Sequence, residues 1–236
     1  MKKYAMLSLM AVLALGACDD DDPVSPNTAQ VRIVNATTGA SFATIHAFRG
    51  NTEIVSAIAA GNASVCTTTY SVPAGTQTIN FRTTAGGATN HESIENFNFQ
   101  ANHRYTVVVY GTNADIRAMV VDDGTVTDAP ANQRRLRFIN ASVSNTAGDV
   151  YARANTTGPP TPPATVSNIA AGTAGTVAGS NYVNVANTNN FFQFFNTGTT
   201  ANVRVTYDAT GATFPTSGNA TIYFTDTNAF KVNNCT

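Results

Sequence analysis

The chain has 236 residues, 13 basic against 14 acidic, and is only 11% charged. At 43% hydrophobic it is excluded from the disordered class, which combines low hydrophobicity with high charge. Of five Leu, four (Leu7, Leu9, Leu13, Leu15) lie in the first fifteen positions, against 36 Thr and 26 Asn overall. That distribution excludes a helical bundle or a helix-rich enzyme, which need strong helix formers.

Lys2 and Lys3 precede an apolar run from Ala5 to Leu15. A helix of that length rises about 16 Å and cannot cross a hydrocarbon core of about 30 Å. The layout is that of a secretory signal peptide over residues 1–17. Its end, Leu15-Gly16-Ala17-Cys18, resembles the lipobox of bacterial lipoproteins. The resemblance implies cleavage before Cys18 and lipidation of that residue, with several acyl chains holding the protein at a membrane. Each buried CH₂ contributes roughly 0.8 kcal/mol, so multiple chains anchor where one would not. Residues 18–28 follow as a tether. Asp19 to Asp22 repel one another and stay solvated. An acidic run after the lipid Cys resembles a surface-export signal of some lineages, and Asp directly after Cys resembles an inner-membrane retention signal of others. An exported, envelope-located protein is expected on either reading, with the outer membrane or cell surface favoured.

Without residues 1–17 the chain carries 11 basic and 14 acidic residues, and Lys231 is its sole lysine. No basic field exists to hold a polyphosphate backbone, so nucleic acid is not an expected partner. Arg134, Arg135 and Arg137 form one basic cluster, read as a solvated linker and strand edge. Lipidation of Cys18 leaves Cys66 and Cys235, an even pair in an exported chain, which invites a disulfide. Closing so long a loop is worth about 3–5 kcal/mol in the chain-entropy view.

From residue 29 the pattern is strand-like. Val31 and Ile33 share a face opposite Arg32, Phe97 and Phe99 share another, and Tyr105 to Tyr110 is a β-branched and aromatic run suited to a central strand. Turn signals at Val72-Pro73-Ala74-Gly75, Ala85-Gly86-Gly87 and Gln100-Ala101-Asn102-His103 separate the runs. The chain then repeats. Gln30-Val31-Arg32-Ile33-Val34-Asn35-Ala36 returns as Arg135-Leu136-Arg137-Phe138-Ile139-Asn140-Ala141, 105 positions on. Val55-Ser56-Ala57-Ile58-Ala59-Ala60-Gly61 returns as Val166-Ser167-Asn168-Ile169-Ala170-Ala171-Gly172, 111 positions on. The extra residues fall in a Pro-rich stretch from Thr156 to Ala164, which suits a surface loop. Two copies of about 100 residues, each long enough for its own core, predict an all-β chain of two tandem antiparallel β-sandwich domains, 29–128 and 134–236.

Val31-Arg32-Ile33-Val34-Asn35-Ala36, the Val72-Pro73-Ala74-Gly75-Thr76 turn, and Arg104 to Gly111 together resemble the bacterial domain of unknown function 4397 family. The likeness covers residues 29–128 well and 134–226 more loosely, since the second copy lacks the Pro-Ala-Gly turn. The resemblance implies tandem Ig-like or transthyretin-like β-sandwiches, exported and often lipid-anchored, and no reaction.

Chemistry-bearing patterns are sparse. His91-Glu92-Ser93-Ile94-Glu95 with His103 lacks the second His of a helical zinc motif, and no metal or cofactor is expected. His46 stands where the second copy has Tyr151, a position that wants a polar-tipped ring. Asp122, Asp123 and Asp128 around Gly124 read as a turn, with a structural calcium as the rival reading. No nucleophile elbow or P-loop occurs. The dense run Phe191-Phe192-Gln193-Phe194-Phe195 reads either as a buried strand or as a carbohydrate-stacking platform using Phe192, Phe194 and Tyr182. The sequence therefore points to a non-enzymatic, lipid-anchored envelope protein with a binding, structural or adhesive role. Its partners would be the membrane and an envelope protein or polysaccharide. A carbohydrate- or polymer-binding module is the first alternative, and a hydrolase or a calcium-stabilised surface protein the second.

Overall fold

The structure, a computed structural model, describes residues 27–64, 70–124, 128–144, 146–214 and 219–233. The signal segment, Cys18, the acidic run, Cys66 and Cys235 lie outside them. The first unit contains β1 (Thr28–Thr37), β2 (Thr44–Arg49), β3 (Thr52–Ala59), β4 (Asn62–Ala63), β5 (Tyr70–Pro73), β6 (Gly75–Arg82), β7 (Glu92–Phe99), β8 (Arg104–Gly111) and β9 (Ile116–Asp122). The second contains β10 (Gln133–Asn140), β11 (Gly148–Arg153), β12 (Val166–Ile169), β13 (Thr173–Ala174), β14 (Val183–Ala186), β15 (Phe191–Asn196), β16 (Val203–Asp208), β17 (Asn219–Phe224) and β18 (Ala229–Asn233). The chain is all-β and builds sandwiches.

Each unit has two sheets. The first pairs β4-β1-β8-β9, with β5 also on β1, against β3-β2-β6-β7. The second repeats this as β13-β10-β17-β18, with β14 on β10, against β12-β11-β15-β16. The ladders are antiparallel with one exception per unit: β1 runs parallel to β8, setting Val31 opposite Tyr105, and β10 runs parallel to β17, setting Leu136 opposite Ala220. Parallel neighbours need a long crossover. Here the chain supplies it by passing through the opposite sheet before returning.

The side chains of β1 and β8 are buried on both faces. Val31, Ile33, Val107 and Val109 point into the first unit's core with Ile45, Phe81 and Phe99. The alternate residues Val34, Ala36, Val108 and Tyr110 join Ile139, Ala141 and Tyr223 of the second unit in a separate apolar cluster. The second unit's own core is built from Phe138, Ile222, Phe224, Phe192 and Phe194. Four sheets therefore stack, with the two parallel-containing sheets inside. This explains why Tyr105 to Tyr110 is β-branched or aromatic at every position and buried throughout, as expected of a strand covered on both faces. The outer β3 instead buries one side chain in every few and solvates the rest.

The seam is tight. At Gly172, whose φ is +69°, an added Cβ would sit 2.2 Å from the Tyr110 hydroxyl oxygen of the other unit. The repeat also extends to a local distortion. Ala57 (φ 48°) and Asn168 (φ 55°), equivalent in the two copies, both adopt left-handed backbone beside irregular pairing of β2 with β3 and of β11 with β12. Asn168 N–H donates to Asp149 Oδ1 at 2.7 Å, whereas Ala57 N–H donates to His46 Nδ1 at 3.3 Å. Left-handed backbone costs an ordinary residue roughly 1–2 kcal/mol, and Asn tolerates it better. Ala57→Asn, the residue of the second copy, is expected to raise unfolding stability by about 1 kcal/mol, read as a higher urea midpoint.

Candidate functional site

The polar centre of the molecule lies in the seam between the units. Arg137 on β10 is fully buried and its Nη2 donates to Asp123 Oδ1 at 2.8 Å. Its Nε donates to Thr221 Oγ1, and its Nη1 reaches the Asp122 carbonyl at the end of β9. The equivalent Arg32 on β1 does the same in reverse. Its Nη2 donates to Thr106 Oγ1 at 2.8 Å and its Nη1 to the Asn233 carbonyl at the end of β18. Each unit thus sends one arginine to the last inner-sheet strand of the other. Thr106 Oγ1 in turn donates to Asp123, which ties the two halves of the network. Burial opposes the charge on Arg137, but the Asp123 carboxylate, together with Tyr182 and Tyr223, outweighs it and holds the guanidinium's pKa above its ordinary value.

This arrangement corrects the reading of the arginine cluster as a solvated edge: Arg137 is inside the molecule, and Arg134 is buried to 7% exposure. The sequence offered a missed signal, since Arg32 and Arg137 are repeat-equivalent and flanked by apolar residues. Asp123, a candidate turn or calcium ligand, is committed to the ion pair. Asp122 accepts from Gly124 N–H and lies 3.2 Å from His103 Nδ1. Among the described residues no three of His, Cys, Asp and Glu gather as a metal set.

The aromatic platform is also corrected. Phe192 and Phe194 are 0% exposed and pack within the second core, Phe194 stacked on Phe224 at 5.1 Å. Tyr182 is half-buried at the seam, with the guanidinium of Arg137 5.1 Å from its ring and its hydroxyl donating to the Asp123 carbonyl. Burial pushes its phenol's pKa up. The strand β15 pairs on both edges, with β11 and β16, and Phe195 on its other face is buried edge-on against Tyr151.

The other candidates separate. His91, Glu92 and Glu95 line one shallow surface cleft with Asn80, Asn90 and Ser93. Burial, with Asp115 and Glu95 nearby, lifts the Glu92 carboxyl above its usual range despite a backbone hydrogen bond from Ser93. His103 is not part of that cleft. His46 Nδ1 lies 2.6 Å from Glu53 Oε1 under β3. Arg134 donates through Nη2 to Asn190 Oδ1 at 2.8 Å and to the Asn187 carbonyl.

The class defined by these observations is a seam-fused double β-sandwich with its most elaborate polar chemistry spent on internal assembly. The family profile described as Domain of unknown function (DUF4397) matches residues 29–153, and the chain belongs to that family. The match spans the first unit and continues through β10 and β11, so it includes both arginines of the seam. No curated protein matches the chain.

Two outcomes follow from the charges. Removing one partner of a buried ion pair costs about 3–5 kcal/mol, whereas replacing both by apolar groups is close to neutral. Asp123→Ala is therefore expected to lower stability by about that amount, and Asp123→Leu with Arg137→Met to recover most of it, measured by denaturant unfolding. Between β17 and β18, burial disfavours the Asp226 carboxylate. Donation from Ser142 and Ser144 hydroxyls and the Ser144 and Val143 N–H groups wins, holding its pKa below the ordinary 3.8. A depressed carboxyl stabilises above its unfolded pKa and loses that contribution as pH falls through the folded one. Asp226→Asn is expected to flatten the fall in stability below about pH 4, seen by comparing urea midpoints from pH 6 to pH 2.

Proposed function

We propose that the protein is a non-enzymatic, lipid-anchored component of the bacterial cell envelope, exported by its N-terminal signal and held through Cys18. Its double sandwich would serve there as a rigid body that binds or spaces other envelope components. The observation that carries the reading is the shared apolar seam with its buried Arg137–Asp123 pair, at 2.8 Å. Domains joined by a small polar interface move relative to one another by default. An apolar, ion-paired interface instead suits a module that must hold a fixed shape at the end of the acidic tether. Three buried charged side chains, Arg32, Asp123 and Arg137, meet at that seam. The order of parts in the sequence supports the location: basic start, short apolar run, Leu15-Gly16-Ala17-Cys18, then Asp19 to Asp22. In this setting Cys66 and Cys235 form a disulfide that returns the C-terminus to the first unit. The outer membrane or the cell surface is the proposed site.

The test is metabolic labelling with a palmitate analogue, followed by membrane fractionation. The wild-type chain is expected to be labelled and membrane-bound. Cys18→Ala is expected to be unlabelled and to leave the membrane fraction. Equal partition of the two, with no label in either, overturns the anchoring reading. Protease treatment of intact cells then reports whether the anchored protein faces outward.

A further inference from the structure

A polar cleft of about 440 Å³ opens at one end of the second sandwich, lined among others by Asn132, Gln133, Arg134, Asn190, Gly211 and Phe214. Arg134 forms its floor and is only 7% exposed. Its guanidinium lies 4.2 Å from the Phe214 ring centroid. The Nη2 group is occupied by Asn187 and Asn190, the Nε is buried without an acceptor, and Nη1 donates to no described residue. Lys231 on β18 stands beside the same ring, its Nζ 4.7 Å from the centroid, and donates to the Thr213 carbonyl.

Among the described residues neither cation forms an ion pair with a carboxylate. The contrast within one strand is sharp: Arg137, three residues along β10, has Asp123, while Arg134 has only neutral acceptors. Burial and the mutual proximity of the two cations push the Lys231 ammonium's pKa down, as expected where positive charge is uncompensated. A desolvated cation without an acid is costly to maintain for stability alone. In a recess it also focuses an attractive field on an anion.

We propose that this cleft binds the carboxylate of an acidic saccharide. The Nη1 edge of Arg134 takes the carboxylate oxygens in a charge-assisted hydrogen bond. Asn132 and Gln133 supply amides for ring hydroxyls. Asn190, whose Oδ1 accepts from Arg134, keeps its amide N–H groups for the same purpose. Lys231 donates to the Thr213 carbonyl and does not line the cleft, so a rim of neutral amides beside one reachable arginine suits a singly charged, hydroxyl-rich ring better than a phosphate, which recruits several donors of higher charge. The site uses none of the buried aromatics Phe192 and Phe194, and it does not rest on membrane attachment, so it stands or falls separately from the anchoring reading.

The experiment is calorimetric titration of the purified full-length mature protein with three probes: a galacturonate oligomer, the neutral galactose oligomer and inorganic phosphate. The galacturonate oligomer is expected to bind. The neutral oligomer and phosphate are expected to bind at least about tenfold more weakly, the scale of one charge-assisted hydrogen bond. Arg134→Gln is expected to remove that preference and Arg134→Lys to restore part of it. Amide NMR shifts on the wild-type protein provide a readout that no folding defect in a variant can confuse. They are expected to move at Asn132, Gly211 and Phe214. The proposal is overturned by no galacturonate binding up to about 10 mM, by equal binding of the neutral oligomer or of phosphate, or by shifts that map elsewhere.

Discussion

Arg137 is a full positive charge placed where no water reaches it, and the molecule is organised around making that tolerable. Its carboxylate partner comes from the segment after β9, its hydroxyl partner from β17 and a carbonyl from Asp122. These groups belong to different units, so satisfying Arg137 requires both sandwiches to be in place. The desolvation penalty of a buried pair can exceed its Coulombic gain, and the surrounding apolar contacts of Val34, Val108, Ile139 and Tyr223 supply the association. The charges then fix the register: a slipped seam would bury a guanidinium without its carboxylate. Apolar burial provides the strength and the ion pair the geometry.

Much of this fold was legible because strand patterning is local. The alternation around Val31 and Ile33, the turn at Val72-Pro73-Ala74-Gly75 and the 105-residue repeat each reflect short-range constraints, and the strands lie where those patterns fall. The parallel pairing of β1 with β8 was not legible, because it depends on the chain's path through the opposite sheet. The seam was hidden for a different reason. An arginine between two aliphatic residues looks like the solvated face of a half-buried strand, and only contact between the two inner sheets turns that face inward.

The site candidates follow the same division. Phe191 to Phe195 could be placed on a strand from sequence, but exposure depends on what covers the strand, and the second core covers it. A carbohydrate platform would need Tyr182 exposed, yet its ring is occupied by Arg135 and Arg137. In the sequence Arg134 is one member of a basic cluster with Arg135 and Arg137. Its separation from Arg137 arises because strand neighbours three apart point to opposite faces, one toward the seam and the other toward the end of the sandwich.

The near-twofold exchange at the seam, in which each arginine reaches the partner unit's last inner strand, has the form of a homodimer interface built within a single polypeptide. Among the described residues only the first unit contributes a carboxylate to it. Two copies of the second sandwich would bring two Arg137 side chains together with no acid between them, and like-charge juxtaposition of that kind is a strong penalty against wrong partners. The asymmetry therefore directs the second sandwich toward a first sandwich and away from another copy of itself. Wherever many such chains meet, that single aspartate favours pairing within a chain over cross-linking between chains.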